Sequence, residues 1–320
     1  MKVSVAMITY NHERFIVQAI ESVLMQKTAF KFELVIGDDC STDRTRSAVI
    51  DMQRRYPDKI SVLLHPTNIG MMPNFMATLR ACKGKYIALL EGDDFWTASD
   101  KLQAQVDLLD SNPELAIAFH NTTVVDNNGI EQQLFPLRVK KEVFTLEDLL
   151  ECDCMMPTCS VMYRNRLFTD FPIWYSEMAM GDLPLHVLNA RFGNIGFSEK
   201  IMAAYRIHSG GVWTEGRPLG DTTFSTKRAV GALRFYEAVQ PELGSRYSSF
   251  IQKKIAMWSY DLVWAYQCAG DWRNMRKYLA HGFRVGKWTY RPSIKVLAKY
   301  FVISHAPWLY QMFRRMRKQA

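Results

Sequence analysis

Three carboxylates fall within four residues at Glu91-Gly92-Asp93-Asp94, directly behind the apolar run Tyr86-Ile87-Ala88-Leu89-Leu90. Carboxylates this crowded repel one another unless a cation lies among them, and hard divalent cations take oxygen ligands. A short apolar run preceded by Lys83-Gly84-Lys85 reads as a buried parallel strand. In open α/β sheets, ligands bind at the carboxyl ends of such strands. The tetrad therefore points to a metal-held phosphate ligand. The alternative is an acidic turn whose Asp residues cap the next helix.

Three further clusters suit the same chemistry. Thr9-Tyr10-Asn11 follows one predicted strand, and Gly37-Asp38-Asp39-Cys40-Ser41-Thr42-Asp43 follows a second. The last is paired, with Gly181-Asp182-Leu183-Pro184 at a helix start and Tyr205-Arg206-Ile207-His208-Ser209-Gly210-Gly211 at a strand end. His208 is a possible ligand because Mn²⁺ accepts imidazole alongside oxygen; a lone histidine is otherwise a structural residue. Gly210 and Gly211 suggest a segment on which Trp213 closes as part of a lid. Trp96 would either stack on a ligand ring or sit in the core.

The elements that must position these groups alternate strand and helix over the first 121 residues. Strands are predicted at 3–8, 32–36, 60–64, 86–90 and 115–119. The helices between them begin near Asn11, near Ser41 or Thr42, at Pro73 and near Lys101. Such alternation means a doubly wound parallel sheet. The first connection lacks G-x-G-x-x-G, so no dinucleotide fingerprint is present. Beyond, short helices are expected over 144–150 and 182–190, strands over 158–163 and 201–207, and helices alone from about 222 onward.

With these elements placed, the chain resembles the glycosyltransferases of family 2, inverting GT-A-fold enzymes that use nucleotide-sugar donors. The resemblance rests on Ile8-Thr9-Tyr10-Asn11, Asp38-Asp39-x-Ser41-x-Asp43, Asn68-Ile69-Gly70, Gly84-Lys85-Tyr86-Ile87 and the tetrad, in the family's order and spacing. Gly181-Asp182 and the 205–211 segment extend it to about residue 213. It implies a GT-A domain over 1–220, with a nucleotide-sugar half at 1–125 and an acceptor half at 126–220. The helical extension 221–320 lies outside it.

The resemblance also implies roles. Asp93 matches the second acid of the family's Asp-x-Asp motif and is the leading ligand for Mn²⁺ or Mg²⁺, with Glu91 unusually at the first position. Asp94 would ligate the donor sugar or cap the next helix. Asp39 matches the position that accepts a hydrogen bond from a pyrimidine N3–H or guanine N1–H. Thr9 would line the base pocket; Thr9 and Asn11 are otherwise helix caps. Asp182 matches the catalytic base, although Gly181 stands where the family usually has another acid. Transfer from a nucleotide diphosphate to a hydroxyl of a glycan or lipid-linked acceptor in cell-surface polysaccharide synthesis follows. The rivals are a sugar-phosphate nucleotidyltransferase, which would want a Gly- and Arg-rich loop after the first strand, and a non-catalytic membrane-surface binding protein.

Composition sets the remaining limits. Hydrophobic residues at 48% and charged residues at 22% of 320 are ordinary for a soluble domain. No run reaches the roughly 18 apolar residues of a membrane span, so cytoplasmic residence is expected. Cys152, Cys154 and Cys159 lack a fourth partner at a zinc spacing, and reduced thiols are expected. The net charge of +8 belongs to the end of the chain: residues 272–320 carry twelve Lys and Arg and no acid. Basic residues interleaved with Trp288, Tyr290, Tyr300, Trp308 and Tyr310 suggest peripheral membrane contact through 287–320, with no role for nucleic acid.

Overall fold

The computed structural model describes residues 1–134, 141–152, 156–208, 210–211, 222–286 and 290. They form two compact units, Met1–Gly216 and Arg217–Ala320. Trp213, Cys154 and all of the 287–320 segment except Tyr290 lie outside the described residues.

The first unit runs β1 (Val3–Thr9), α1 (Ile16–Leu24), β2 (Phe32–Asp38), α2 (Thr45–Arg55), β3 (Ile60–Leu64), α3 (Met71–Ala81) and β4 (Tyr86–Leu89). It continues with β5 (Phe95–Trp96), α4 (Lys101–Ser111), β6 (Leu115–Val125), β7 (Glu131–Leu134), β8 (Val143–Phe144) and α5 (Leu146–Glu151). It closes with β9 (Met162–Arg164), α6 (Asp182–Ala190) and β10 (Asn194–Arg206). One sheet has the order β3-β2-β1-β4-β9-β6-β10-β5, with β7 on β6 and β8 on β10. Strands β3, β2, β1 and β4 are parallel, β9 runs against both β4 and β6, and β10 is parallel to β6.

The order explains the position of the acidic tetrad. From β1 the chain steps outward to β2 and β3, then returns to place β4 on the other side of β1. That reversal opens a crevice at the carboxyl ends of β1 and β4, where ligands of such sheets bind. The residues after Thr9 and those after Leu89 face each other across it. Strand β10 ends on the same edge, because its pairing with β5 puts Ala203 opposite Trp96.

Burial follows from the apolar pattern. Val3, Val5 and Met7 of β1 meet Ile16, Ala19, Ile20 and Val23 of α1, whose spacing makes one helical face. Each such side chain contributes roughly 1.5–3 kcal/mol by leaving water. Trp96 belongs to this core: it is 1% exposed and donates from Nε1 to the Cys159 carbonyl at 2.9 Å. It therefore cannot stack on a sugar. Lys101, fully buried, points its Nζ at the Trp96 ring from 4.0 Å with no hydrogen-bond partner.

Two boundaries depart from the pattern. The segment 158–163 is a single 3₁₀ turn, Thr158–Ser160, before β9 begins at Met162. The strand predicted at 201–207 starts earlier, at Asn194, because β6 offers a partner along its whole length. The second unit contains α7 (Thr222–Leu243), α8 (Ser248–Ala269) and α9 (Trp272–Gly286). Gly270 separates the last two in the left-handed conformation at φ 74°. No described helix is long and apolar enough to cross a membrane.

Candidate active site

The crevice between β1 and β4 gathers the tetrad with two histidines. His208 Nε2 lies 2.9 Å from Asp93 Oδ2, and His12 Nε2 lies 3.7 Å from the same oxygen. One ligand atom from each of the three side chains falls within 4.8 Å of the others. Each comes from a different element: His12 from the turn after β1, Asp93 from the turn after β4 and His208 from the end of β10. The sequence pointed to Asp93 and His208 but missed His12. Its signal was present in the position, in the turn three residues past the end of β1 and four before α1 begins.

Gly92 is what allows this approach. A Cβ there would sit 2.7 Å from Thr9 Oγ1 and 3.0 Å from His12 Nδ1, so any larger residue would push the β1 turn away. Thr9 Oγ1 and His12 Nδ1 are both buried without a hydrogen-bond partner. Burial, with the nearby His208, lowers the His12 pKa against the pull of Asp93. His12 is therefore neutral near pH 7, the form in which imidazole binds a metal. Asp93 is held below its ordinary value: burial opposes its charge, but the His208 hydrogen bond and His12 outweigh it.

The donor set fits a divalent metal. Two imidazoles and a carboxylate suit Mn²⁺ and other first-row ions better than Mg²⁺, which prefers oxygen. Ligand atoms bound about 2.1 Å from one ion at right angles are about 3 Å apart, and the two measured separations bracket that value.

Arg206 ties the ligands to the sheet. Its guanidinium is packed between Phe15 and Phe95, at 4.7 and 5.1 Å from their centroids. It donates to the Asp93 carbonyl at 2.9 Å, the Asp126 carbonyl at 3.1 Å and Gln18 Oε1 at 2.7 Å. The His208 ring also rests on Phe15, 4.8 Å between centroids. Nothing local marks Arg206 for this role, because only the folded chain brings α1, the tetrad and β10 together.

The remaining tetrad acids are divided. Glu91 is pushed well above the usual carboxylate range by burial and by the charges of Asp94, Asp93 and Asp182. Asp94 differs from expectation. It is 2% exposed, accepts the Arg206 backbone N–H at 2.7 Å and leads into β5, so it anchors β10 and caps no helix.

Asp182 opens α6 and accepts the backbone N–H of Leu183 at 2.8 Å. The charge of Asp182 reaches Tyr163, Tyr175 and His186, all buried around the start of this helix. Tyr163 and His186 are hydrogen bonded through the phenol and Nδ1. The missing acid at 181 has a steric reason: a Cβ on Gly181 would lie 2.9 Å from the Phe75 ring.

The second cluster is occupied by its own loops. Asp39 accepts the backbone N–H groups of Ile69 at 2.7 Å and Gly70 at 3.0 Å, leaving one lone pair on each oxygen for a ligand. Its own N–H donates to the Thr9 carbonyl at 3.1 Å, which puts Thr9 and Asp39 side by side. Asn11 is not a cap for α1. It adopts φ 56°, and its Oδ1 accepts the Thr42 N–H at 2.8 Å, joining the β1 and β2 turns. Ser41 likewise accepts from the Asn11 N–H, so α2 starts only at Thr45, behind Asp43. Asp38 is fully buried and paired with Arg46 at 2.6 Å.

Residues 4–168 match the family described as Glycosyl transferase family 2. An uncharacterised protein of Mycobacterium tuberculosis is 36% identical over 211 residues, covering 66% of this chain and 60% of the relative. The matched stretch thus spans less than two thirds of that relative. The Escherichia coli UDP-Glc:alpha-D-GlcNAc-diphosphoundecaprenol beta-1,3-glucosyltransferase is 33% identical over 169 residues, covering 53% of this chain and 62% of that enzyme. Among solved structures, a mannosyltransferase from Pyrobaculum calidifontis with GDP-Man and Mn²⁺ has a TM-score of 0.58 at 18% identity, covering 99% of this chain and 84% of that one. At that identity the likeness establishes the fold.

Proposed function

Because the chain belongs to glycosyl transferase family 2, we propose that it is an inverting, metal-dependent transferase moving a sugar from a nucleoside diphosphate donor to an acceptor hydroxyl. The observation that carries this reading is the His12–Asp93–His208 group in the β1/β4 crevice. The relatives named for sugar transfer and the mannosyltransferase with Mn²⁺ support it.

His12, Asp93 and His208 would hold the ion. A bound divalent ion supplies positive charge to the leaving diphosphate. The chain's own groups do the rest. Asp39, with its free lone pairs beside Thr9, accepts a base N–H, which favours a uracil, thymine or guanine donor. Asp182 takes the proton of the attacking hydroxyl. The acceptor is a glycan or lipid-linked sugar, by likeness to the E. coli enzyme. The domain division at about residue 220 and peripheral membrane contact through 287–320 belong to the same proposal.

Thermal shift with UDP, GDP, dTDP and CMP sugars, each with Mn²⁺, Mg²⁺ or EDTA, is the test. A donor-specific rise in Tm that needs Mn²⁺, followed by transfer with inversion, is expected. Transfer that proceeds unchanged in EDTA would refute the metal assignment.

A further inference from the structure

Helix α9 carries Arg273, Arg276, Lys277 and Arg284 with no Asp or Glu between 272 and 286. All four are exposed, as are Ala280 and Phe283. Their spacing of three and four residues places them on one stripe of the helix. Met275, Gly282 and Gly286 are buried on the opposite face, where Gly282 packs against Tyr260 of α8 and Gly286 against Ala256. An ordinary solvated helix mixes both signs of charge along its outer face; this one is of a single sign. Of the nearby acids, Asp271 bonds Asn274 at the helix start and acts by charge on Arg273, and Glu237 faces His281 at 3.3 Å. Phe283, 44% exposed, lies at the edge of the basic stripe with one edge of its ring towards Tyr260, 6.3 Å between centroids.

We propose that this outward face of α9 docks on an anionic lipid surface, with the four cations over the headgroups and Phe283 entering the layer. Single-sign charge complements anionic lipid, and an exposed aromatic among basic residues is the pattern of an interfacial helix. The inference extends the lipid-linked acceptor reading, yet the surface holds none of the residues assigned to transfer. Its failure and the failure of that reading therefore give different results.

Co-sedimentation of the full chain with vesicles of phosphatidylglycerol and phosphatidylcholine, against phosphatidylcholine alone, tests it. Wild type should prefer the anionic vesicles and lose them as salt rises. The combined variant Arg273→Ser/Arg276→Ser/Lys277→Ser/Arg284→Ser should bind about fivefold less per charge removed, several hundredfold in all. It should keep the wild-type Tm and donor hydrolysis. Arg273→Lys/Arg276→Lys/Arg284→Lys should bind within about twofold of wild type, because charge and not guanidinium shape is read. Phe283→Ser should weaken binding while leaving the salt slope unchanged. Undiminished binding by the four-serine variant would overturn the assignment. So would indifference of wild type to anionic vesicles, or displacement from them by a nucleic-acid duplex at equal charge.

Discussion

Replacing Lys101 by Met should stabilise this protein. The amine is buried behind Trp96 with no hydrogen-bond partner, and burial lowers its pKa to about 7. In the unfolded chain it titrates near about 10.4. Between those values the unfolded state binds a proton that the folded state lacks, so stability falls as pH drops from 10 towards 7. At about 1.36 kcal/mol per unit, the penalty near pH 7 is about 4 kcal/mol. The Trp96 ring, 4.0 Å away, favours the charged amine by about 2 kcal/mol through a desolvated cation–π contact, which offsets part of that penalty by drawing the proton back. Desolvation wins, leaving about 2 kcal/mol against the native state. Met has a similar shape and no charge to bury. Urea unfolding should show Lys101→Met more stable by about 2 kcal/mol at pH 7, with the advantage vanishing near pH 10. A variant less stable at pH 7, or a gap constant between pH 7 and 10, would refute this account.

Other outcomes follow from the site. His12→Gln should lower Mn²⁺ affinity at least about tenfold in a direct titration without donor and change Mg²⁺ affinity much less; equal loss for both ions would remove His12 from the ligand set. Asp182→Asn should abolish transfer, by at least about 100-fold in kcat, while donor and Mn²⁺ binding stay unchanged; full activity would exclude it as the base. Gly181→Ala should cost about 1–3 kcal/mol, because its Cβ meets the Phe75 ring; Phe75→Leu in the same chain should recover part of the loss in Tm. Asp110 is held below the ordinary carboxylate range by hydrogen bonds from Lys2, Lys85 and Tyr86. Its stabilisation is present above about pH 4 and lost as pH falls below. It is one-third exposed, so Asp110→Asn should cost under about 1 kcal/mol at neutral pH, and acid titration of both proteins should show the gap closing.

Much of the fold was legible because its signals are local. The continuous apolar runs of β1, β2 and β4 need burial on both faces, and the periodicity of Ile16, Ala19, Ile20 and Val23 needs a helix beside them. The turn acids Asp39, Glu91, Asp93 and Asp182 stand where strand ends and a helix start put them, whatever the rest of the chain does. Less legible were residues whose neighbours are distant in sequence. Asp94 could have met the donor sugar or capped a helix, and Trp96 could have stacked on a sugar or filled the core. The pairing of β5 with β10, more than a hundred residues later, drew both into the core. Asn11 looked like a cap until the β2 turn presented Thr42 to its side chain.

The sequence by itself thus determined which groups are acidic, aromatic or basic and on which strand ends they sit, since periodicity and turn chemistry act over a few residues. Only the tertiary structure decided that His12 and His208 converge on Asp93. That convergence needs the crossover from β3 to β4, the long return of β10 and Arg206 clamped between Phe15 and Phe95. Contacts between residues nearly two hundred positions apart carry no periodic signal, because packing and not chain proximity brings them together.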